Sequence, residues 1–415
     1  MEEGAVSRSR KHGTLLLVAG QVVGQVSMLA VVPLLTRAYG PSILGLYQVA
    51  MAIATTAQPA ATLRAEFVLP AFTHDANART LMRRASAAAV FASGGLAIAA
   101  GVAFVADVKD APSVLLMTAL ILSALALTVL DNAVLIRRGA RERLAVRNAL
   151  AGVVTAALQC GVLAAGLPVV YLAAALLLGR LLAVLCTRRR DDRWRESLAP
   201  AERYPYTWHR ASFAIASGVS ASATGQAIVV AAGPLFGSGA SGYVGVAQRI
   251  AGTPIGLLGQ GLSQALQSHS APLIRERRPG LHAQVRRQIV VLAAVSLLIS
   301  ASLIALAPPL AAPILGAGWE PAGTVTAILA IPISFQLLAG PLMPLLPMLG
   351  QERLLFILQV TRLAVAVLSI AIASALTGDL LWTAAGYGAG VVAGYALLIF
   401  VLLQQARRFD REVEV

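Results

Sequence analysis

Apolar runs of about twenty residues, repeated along the whole chain, constrain this sequence more than any other feature. A helix rises 1.5 Å per residue, so about 20 apolar residues cross the hydrocarbon core of a bilayer. Inside that core only helices and closed barrels satisfy their own backbones. Twelve runs qualify, at residues 14–37, 43–72, 85–106, 113–136, 146–166, 168–187, 211–236, 243–274, 288–307, 320–348, 353–376 and 380–403. Composition agrees, because 58% of the 415 residues are hydrophobic and only 13% are charged. A soluble domain carries about 25% charged residues. The expected fold class is therefore an all-α polytopic membrane protein with about 12 transmembrane helices. Arg8, Arg10 and Lys11 precede the first run as in a signal peptide. That run is too long for an h-region and lacks a clear cleavage pattern, so it reads as the first span.

The net charge of +14 would point to nucleic acid in a soluble protein. Here the basic residues sit in short gaps between apolar runs, so no nucleic-acid partner is expected. Of the 33 Lys and Arg, 27 occupy alternate gaps, Arg147 among them in the gap at 137–147, and Lys109 stands alone in the opposite ones. The positive-inside rule then places both termini in the cytoplasm. Only Lys11 and Lys109 are lysines, an arginine bias expected of a GC-rich bacterial genome. The expected location is the bacterial cytoplasmic membrane, with its lipids as surroundings.

The longest gap, 188–210, is arginine-rich and carries Pro200 and Pro205. It divides the chain into an N-terminal six-helix bundle (1–187), a cytoplasmic linker (188–210), a C-terminal six-helix bundle (211–403) and a cytoplasmic tail (404–415). Gly45-Leu46-Tyr47-Gln48-Val49-Ala50 opens the second run, and Gly242-Tyr243-Val244-Gly245-Val246-Ala247 opens the eighth. Parallel repeats of six helices bring a substrate site between the halves.

Enzyme chemistry finds no purchase. There is no HExxH, phosphate-binding glycine loop or nucleophile elbow. The five histidines lie at termini, inner gaps or inner helix ends, and the outer gaps are very short. Cys160 and Cys186 lie in apolar segments without metal-ligand spacing. No catalytic residue, cofactor or metal is expected, and the short gaps cannot hold an ATPase domain.

Ionisable residues inside a membrane cost about 2.5–3.5 kcal/mol each on insertion scales, so each is a candidate functional group. The eighth run carries Arg249, Thr253, Gly256, Gln260, Gln264 and Gln267 at steps of three or four, one helical face. Such a face lines a polar lumen or bonds to neighbouring helices. The second run carries Gln48, Thr55, Thr62 and Glu66, with Pro59 between. Arg64 lies two positions from Glu66, so in a straight helix the two face apart. Gln21 and Gln25 share a face of the first run, Arg37 ends it, and Gln359 and Arg362 lie three apart in the eleventh. Arg180 snorkels from an inner end. Asp131 either binds a cation or pairs with Arg137 or Arg138. An arginine-bearing cavity favours an anion, and arginine grips phosphate bidentately, which suits a diphosphate.

Several short segments then carry a resemblance. They are Gly20-Gln21, Tyr39-Gly40-Pro41, Gly45-Leu46-Tyr47, Leu63-Arg64-Ala65-Glu66, Ala247-Gln248-Arg249-Ile250, Gly318-Trp319, Leu349-Gly350 and Gln359-Val360-Thr361-Arg362. In this order they resemble the polysaccharide-biosynthesis, O-antigen-type flippases of the multidrug/oligosaccharidyl-lipid/polysaccharide exporter superfamily. The resemblance implies two six-helix bundles around a V-shaped cavity. It also implies a lipid-linked oligosaccharide on undecaprenyl diphosphate as substrate, with a polysaccharide polymerase and glycosyltransferases as partners. Arg249, Arg64, Glu66, Gln260, Gln264, Gln267, Gln21, Gln25, Gln48, Arg362 and Arg37 are the expected cavity residues. Glu66 and Asp131 are the candidates for ion coupling. The competing readings are a cation-coupled drug antiporter of the same fold and a non-transporting scaffold.

Overall fold

The computed structural model describes residues 2–69, 75–188 and 208–414, and among them no β-strand occurs. In chain order the helices are α1 (Glu2–Ala30), α2 (Val32–Ala38), α3 (Pro41–Ala61), α4 (Ala65–Val68), α5 (Asp75–Val105), α6 (Ala111–Arg137), α7 (Arg141–Ala164) and α8 (Val170–Thr187). They continue as α9 (Trp208–Phe236), α10 (Ser238–Arg275), α11 (Leu281–Leu315), α12 (Glu320–Ala339), α13 (Leu345–Met348), α14 (Glu352–Thr377) and α15 (Leu380–Glu414).

Ten helical stretches among the described residues are long and apolar enough to cross a membrane. The chain is a multi-pass membrane protein. The expected second and eighth spans are helical, as α3 and α10, yet fall outside the ten. Their glutamines, threonines and arginine lower their apolarity. Apolarity alone therefore supports ten of the twelve expected spans.

The surface of the helices is apolar where lipid would touch it. Phe91 on α5 is 80% exposed and Leu297 on α11 is 72% exposed. The interior is built instead from small residues, among them Ala50, Ala54, Ala85, Ala133, Ala247 and Ala330. Lipid tails are as apolar as leucine, so close packing of small residues drives helix association here.

Packing divides the chain into two compact units, Met1–Tyr39 with Leu46–Val219, and Gly40–Gly45 with Ser220–Val415. In the first unit α1 packs on α7, α7 on α8, α6 on α8 and α5 on α6. Gly24 and Gly152 set the approach of α1 to α7. A Cβ on Gly24 would lie 2.4 Å from the Asn148 carbonyl oxygen, and one on Gly152 would lie 2.2 Å from that of Gly24. In the second unit α11 packs on α12, α14 on α15, and α12 on both α10 and α15. A Cβ on Gly45 would lie 2.0 Å from the Ser238 carbonyl oxygen, and one on Gly242 would lie 2.2 Å from that of Pro41. Pro41 stands to Ser238 as Gly45 stands to Gly242 in the chain, so the two contacts within this unit are reciprocal.

Two departures from simple spans matter for the site. The run expected at 43–72 is interrupted. Pro59 lies inside α3, and Leu63 and Arg64 both adopt a left-handed backbone at φ +51°. The Arg64 amide bonds back to the Pro59 carbonyl at 3.2 Å, which closes the helix before α4 begins. The run expected to stop at residue 403 continues as helix to Glu414. There Asp410 accepts hydrogen bonds from the amides of Gly280, Leu281 and His282 at 3.0, 2.9 and 2.9 Å. It caps α11 from another helix, placing a carboxylate where unpaired amides gather. The Arg407 Nε donates to His282 Nε2 at 2.7 Å beside it.

Candidate functional site

The break after α3 brings together residues that a straight helix would separate. Arg64 Nη1 lies 3.4 Å from Glu66 Oε1. This corrects the expectation that the two face apart, and the left-handed pair Leu63–Arg64 is the reason. Non-glycine residues in that conformation cost about 1–3 kcal/mol each and persist where surroundings enforce them. The Thr62 hydroxyl lies 3.3 Å from Glu66 Oε2 and 3.1 Å from Gln58 Nε2. Gly218 on α9 leaves room for the guanidinium, since a Cβ there would lie 2.6 Å from Arg64 Nε. The Arg64 and Glu66 side chains are 26% and 19% exposed, so both stay accessible to a polar ligand.

Higher on α3, Gln48 is buried and the Thr55 hydroxyl bonds to the Met51 carbonyl at 2.7 Å. Gln21 is half-buried, whereas Gln25 and Arg37 are exposed. On α10, Arg249 is half-buried and the Thr253 hydroxyl donates to its carbonyl at 2.6 Å. The side chains of Gln260, Gln264 and Gln267 lie outside the described ones. Beside Arg249, Gln248 donates to the Gly225 carbonyl of α9 at 2.8 Å. That polar link between α9 and α10 was not singled out in the sequence.

Asp131 takes a partner other than the two expected. Arg147 Nη1 lies 3.3 Å from Asp131 Oδ2, while Arg137 binds Asp75 at 2.7 Å. Arg147 lies on the buried face of α7 with Leu144, Ala151 and Thr155. Its side chain is 1% exposed, and it donates to the Thr128 carbonyl at 3.1 Å, to Asn148 Oδ1 at 2.5 Å and to Asn132 Oδ1. Sequence position alone had put Arg147 among the gap arginines. A one-in-four spacing with buried apolar neighbours was the available signal.

The second unit holds another buried cation. Gln359 and Arg362 on α14 are each 2% exposed. The Arg362 Cζ sits 4.4 Å from the centroid of the Tyr395 ring on α15. Below it the Tyr387 hydroxyl donates to the Thr224 carbonyl at 2.9 Å. Sequence reasoning named Gln359 and Arg362 but missed the tyrosines, which follow glycines in Gly386-Tyr387 and Gly394-Tyr395.

Long apolar helices with buried arginine and glutamine define a multi-pass membrane protein. Solved structures with this fold include the inward closed conformation of the lipid II flippase MurJ, at TM-score 0.63 and 11% identity, covering 97% of this chain and 90% of that one. A MATE transporter in complex with MaL6 is similar at TM-score 0.67 and 14% identity, covering 96% and 97%. A MOP superfamily transporter from Pyrococcus furiosus is similar at TM-score 0.61 and 16% identity, covering 97% and 95%. At these identities the likeness is one of fold. Residues 75–324 match the polysaccharide biosynthesis protein family, more than half of the chain, and the chain belongs to that family. No curated protein sequence matches it.

Proposed function

We propose that the chain is a flippase. It carries undecaprenyl-diphosphate-linked oligosaccharide from the cytoplasmic to the outer leaflet by alternating access, for O-antigen or exopolysaccharide synthesis. It acts in the bacterial cytoplasmic membrane with both termini inside, alongside a polymerase and glycosyltransferases. The observation that carries this reading is a chain of the polysaccharide biosynthesis family folded as a membrane transporter.

Arg249 on α10 binds the diphosphate, and Gln260, Gln264 and Gln267 line its path. Arg64, with its Nη1 3.4 Å from Glu66 Oε1, offers a second guanidinium. A diphosphate competes for that guanidinium and frees the carboxylate for a proton or cation. A drug antiporter would want uncompensated acid, whereas Glu66 and Asp131 both face arginine, at 3.4 and 3.3 Å.

The membrane potential drives the cycle without nucleotide hydrolysis. Each charge crossing 100 mV is worth about 2.3 kcal/mol, and a diphosphate carries roughly two. The test is flipping of lipid-linked oligosaccharide in proteoliposomes, with potential and pH gradient set independently. Arg249→Ala abolishes flipping at normal abundance, and Arg249→Lys retains part of it. Wild-type rates in Arg249→Ala remove that residue from the site. A rate that ignores potential, follows the pH gradient and loses that dependence in Glu66→Gln assigns coupling to Glu66 instead.

A further inference from the structure

Arg362 presents an unsolved charge. It is 2% exposed, and among the described residues its Nε and Nη1 have no hydrogen-bond partner. No carboxylate lies within ion-pair distance of it among the described residues. The acidic groups described in its unit, Glu276, Glu320, Glu352, Asp379, Asp410 and Glu412, stand in turns or near helix ends. The Tyr395 ring covers one face of the guanidinium, and cation–π attraction offsets only part of the cost of burying it. Gly394 lets α15 come close, since a Cβ there would lie 2.4 Å from Arg362 Cγ.

Gln359 adds a second unmet group on the same face, three residues before. Its Nε2 points to the Met343 thioether at 3.2 Å, a weak acceptor, and its Oε1 has no partner. A half-turn of the amide exchanges these atoms and turns two donors toward the unmet side. The pair then offers N–H groups from both residues around one fixed positive charge.

We propose that Arg362 and Gln359 form a binding site for one small monovalent anion of halide size, within the second unit and under Tyr395. A water molecule would satisfy donors but leave the charge. A phosphate would bring a second negative charge with no cation to meet it, and the closed site gives a sugar diphosphate no mouth. This site is separate from Arg249, and it stands whichever lipid the protein moves.

The test uses the purified full-length protein in detergent. Thermal unfolding is followed in sodium gluconate with chloride, bromide or phosphate replacing it at constant ionic strength. Chloride and bromide are expected to raise the midpoint by a few degrees in a saturable way, and phosphate to add nothing. Arg362→Gln is expected to lose the halide shift, and Arg249→Ala to keep it. Should Arg362→Gln fail to fold, Gln359→Leu serves, with half-saturation rising about tenfold for one lost bond to a charged ligand. A bromide-soaked crystal is expected to show anomalous scattering beside Arg362. A wild-type midpoint indifferent to halide, a halide shift that survives in both variants, or bromide found only elsewhere would each overturn the proposal.

Discussion

Replacing Arg147 with methionine keeps most of the volume and removes the charge from the interior of the first unit. The wild-type guanidinium is 1% exposed and serves four partners, namely Asp131, Asn132, Asn148 and the Thr128 carbonyl. Removing one side of a buried ion pair costs about 3–5 kcal/mol. Asp131 is 24% exposed, so water screens the carboxylate left behind and the lower end applies, about 3 kcal/mol. Asp131→Asn alone strands the buried guanidinium, though its neutral acceptors remain, and about 2 kcal/mol is expected. The double variant removes both charges. It is expected to be at least 1 kcal/mol more stable than the sum of the two losses, a coupling typical of residues in one network. Denaturant unfolding in detergent, with membrane abundance followed in parallel, measures all three. Losses that add within about 0.5 kcal/mol would refute the pairing, as would a loss in Arg147→Met below about 1 kcal/mol. The pairing has a functional corollary as well. Asp131→Asn should leave any proton dependence of flipping unchanged.

Three further outcomes are expected. Gly24→Leu should separate α1 from α7 and lower membrane abundance severely, whereas Gly95→Leu on α5, where a Cβ meets nothing within 4 Å, should be tolerated; equal abundance of the two would sink the close-packing account. Asp410→Ala should destabilise the protein by about 1–2 kcal/mol through loss of the α11 cap, read as a lower unfolding midpoint, and Asp410→Asn should lose less. In a background with Cys160 and Cys186 changed to serine, a cysteine at 237–242 should label from outside intact cells and one at 188–195 should not; the reverse pattern would invert the orientation.

The spans were legible because lipid demands long apolar helices, and that signal survives without any knowledge of packing. The glutamines in the runs that form α3 and α10 stood out for the same reason, since glutamine is conspicuous among apolar residues. The Arg64–Glu66 pair was not. It depends on two non-glycine residues turning left-handed after Pro59, and neither Leu63 nor Arg64 is a residue type that announces that backbone. Arg147 was misread because an arginine near a helix end ordinarily reaches for water, and only tertiary packing turns it inward. The last span was read as ending at residue 403 because Arg407, Arg408, Asp410, Arg411 and Glu412 break the apolar run. Those charges continue the helix instead, and two of them, Arg407 and Asp410, reach α11. The tyrosines under Arg362 could not be placed from sequence, because nothing local ties α15 to α14.

The cap on α11 also sets a schedule for synthesis. Asp410 follows the amides it binds by 128 to 130 residues. At about 5–20 residues per second a ribosome needs roughly 6 to 26 seconds to deliver it. For that interval the start of α11 stands without its cap. A nascent chain cut short before Asp410 lacks that cap permanently. Membrane proteases that sample frayed helix ends would then distinguish copies that carry Asp410 from those cut short before it.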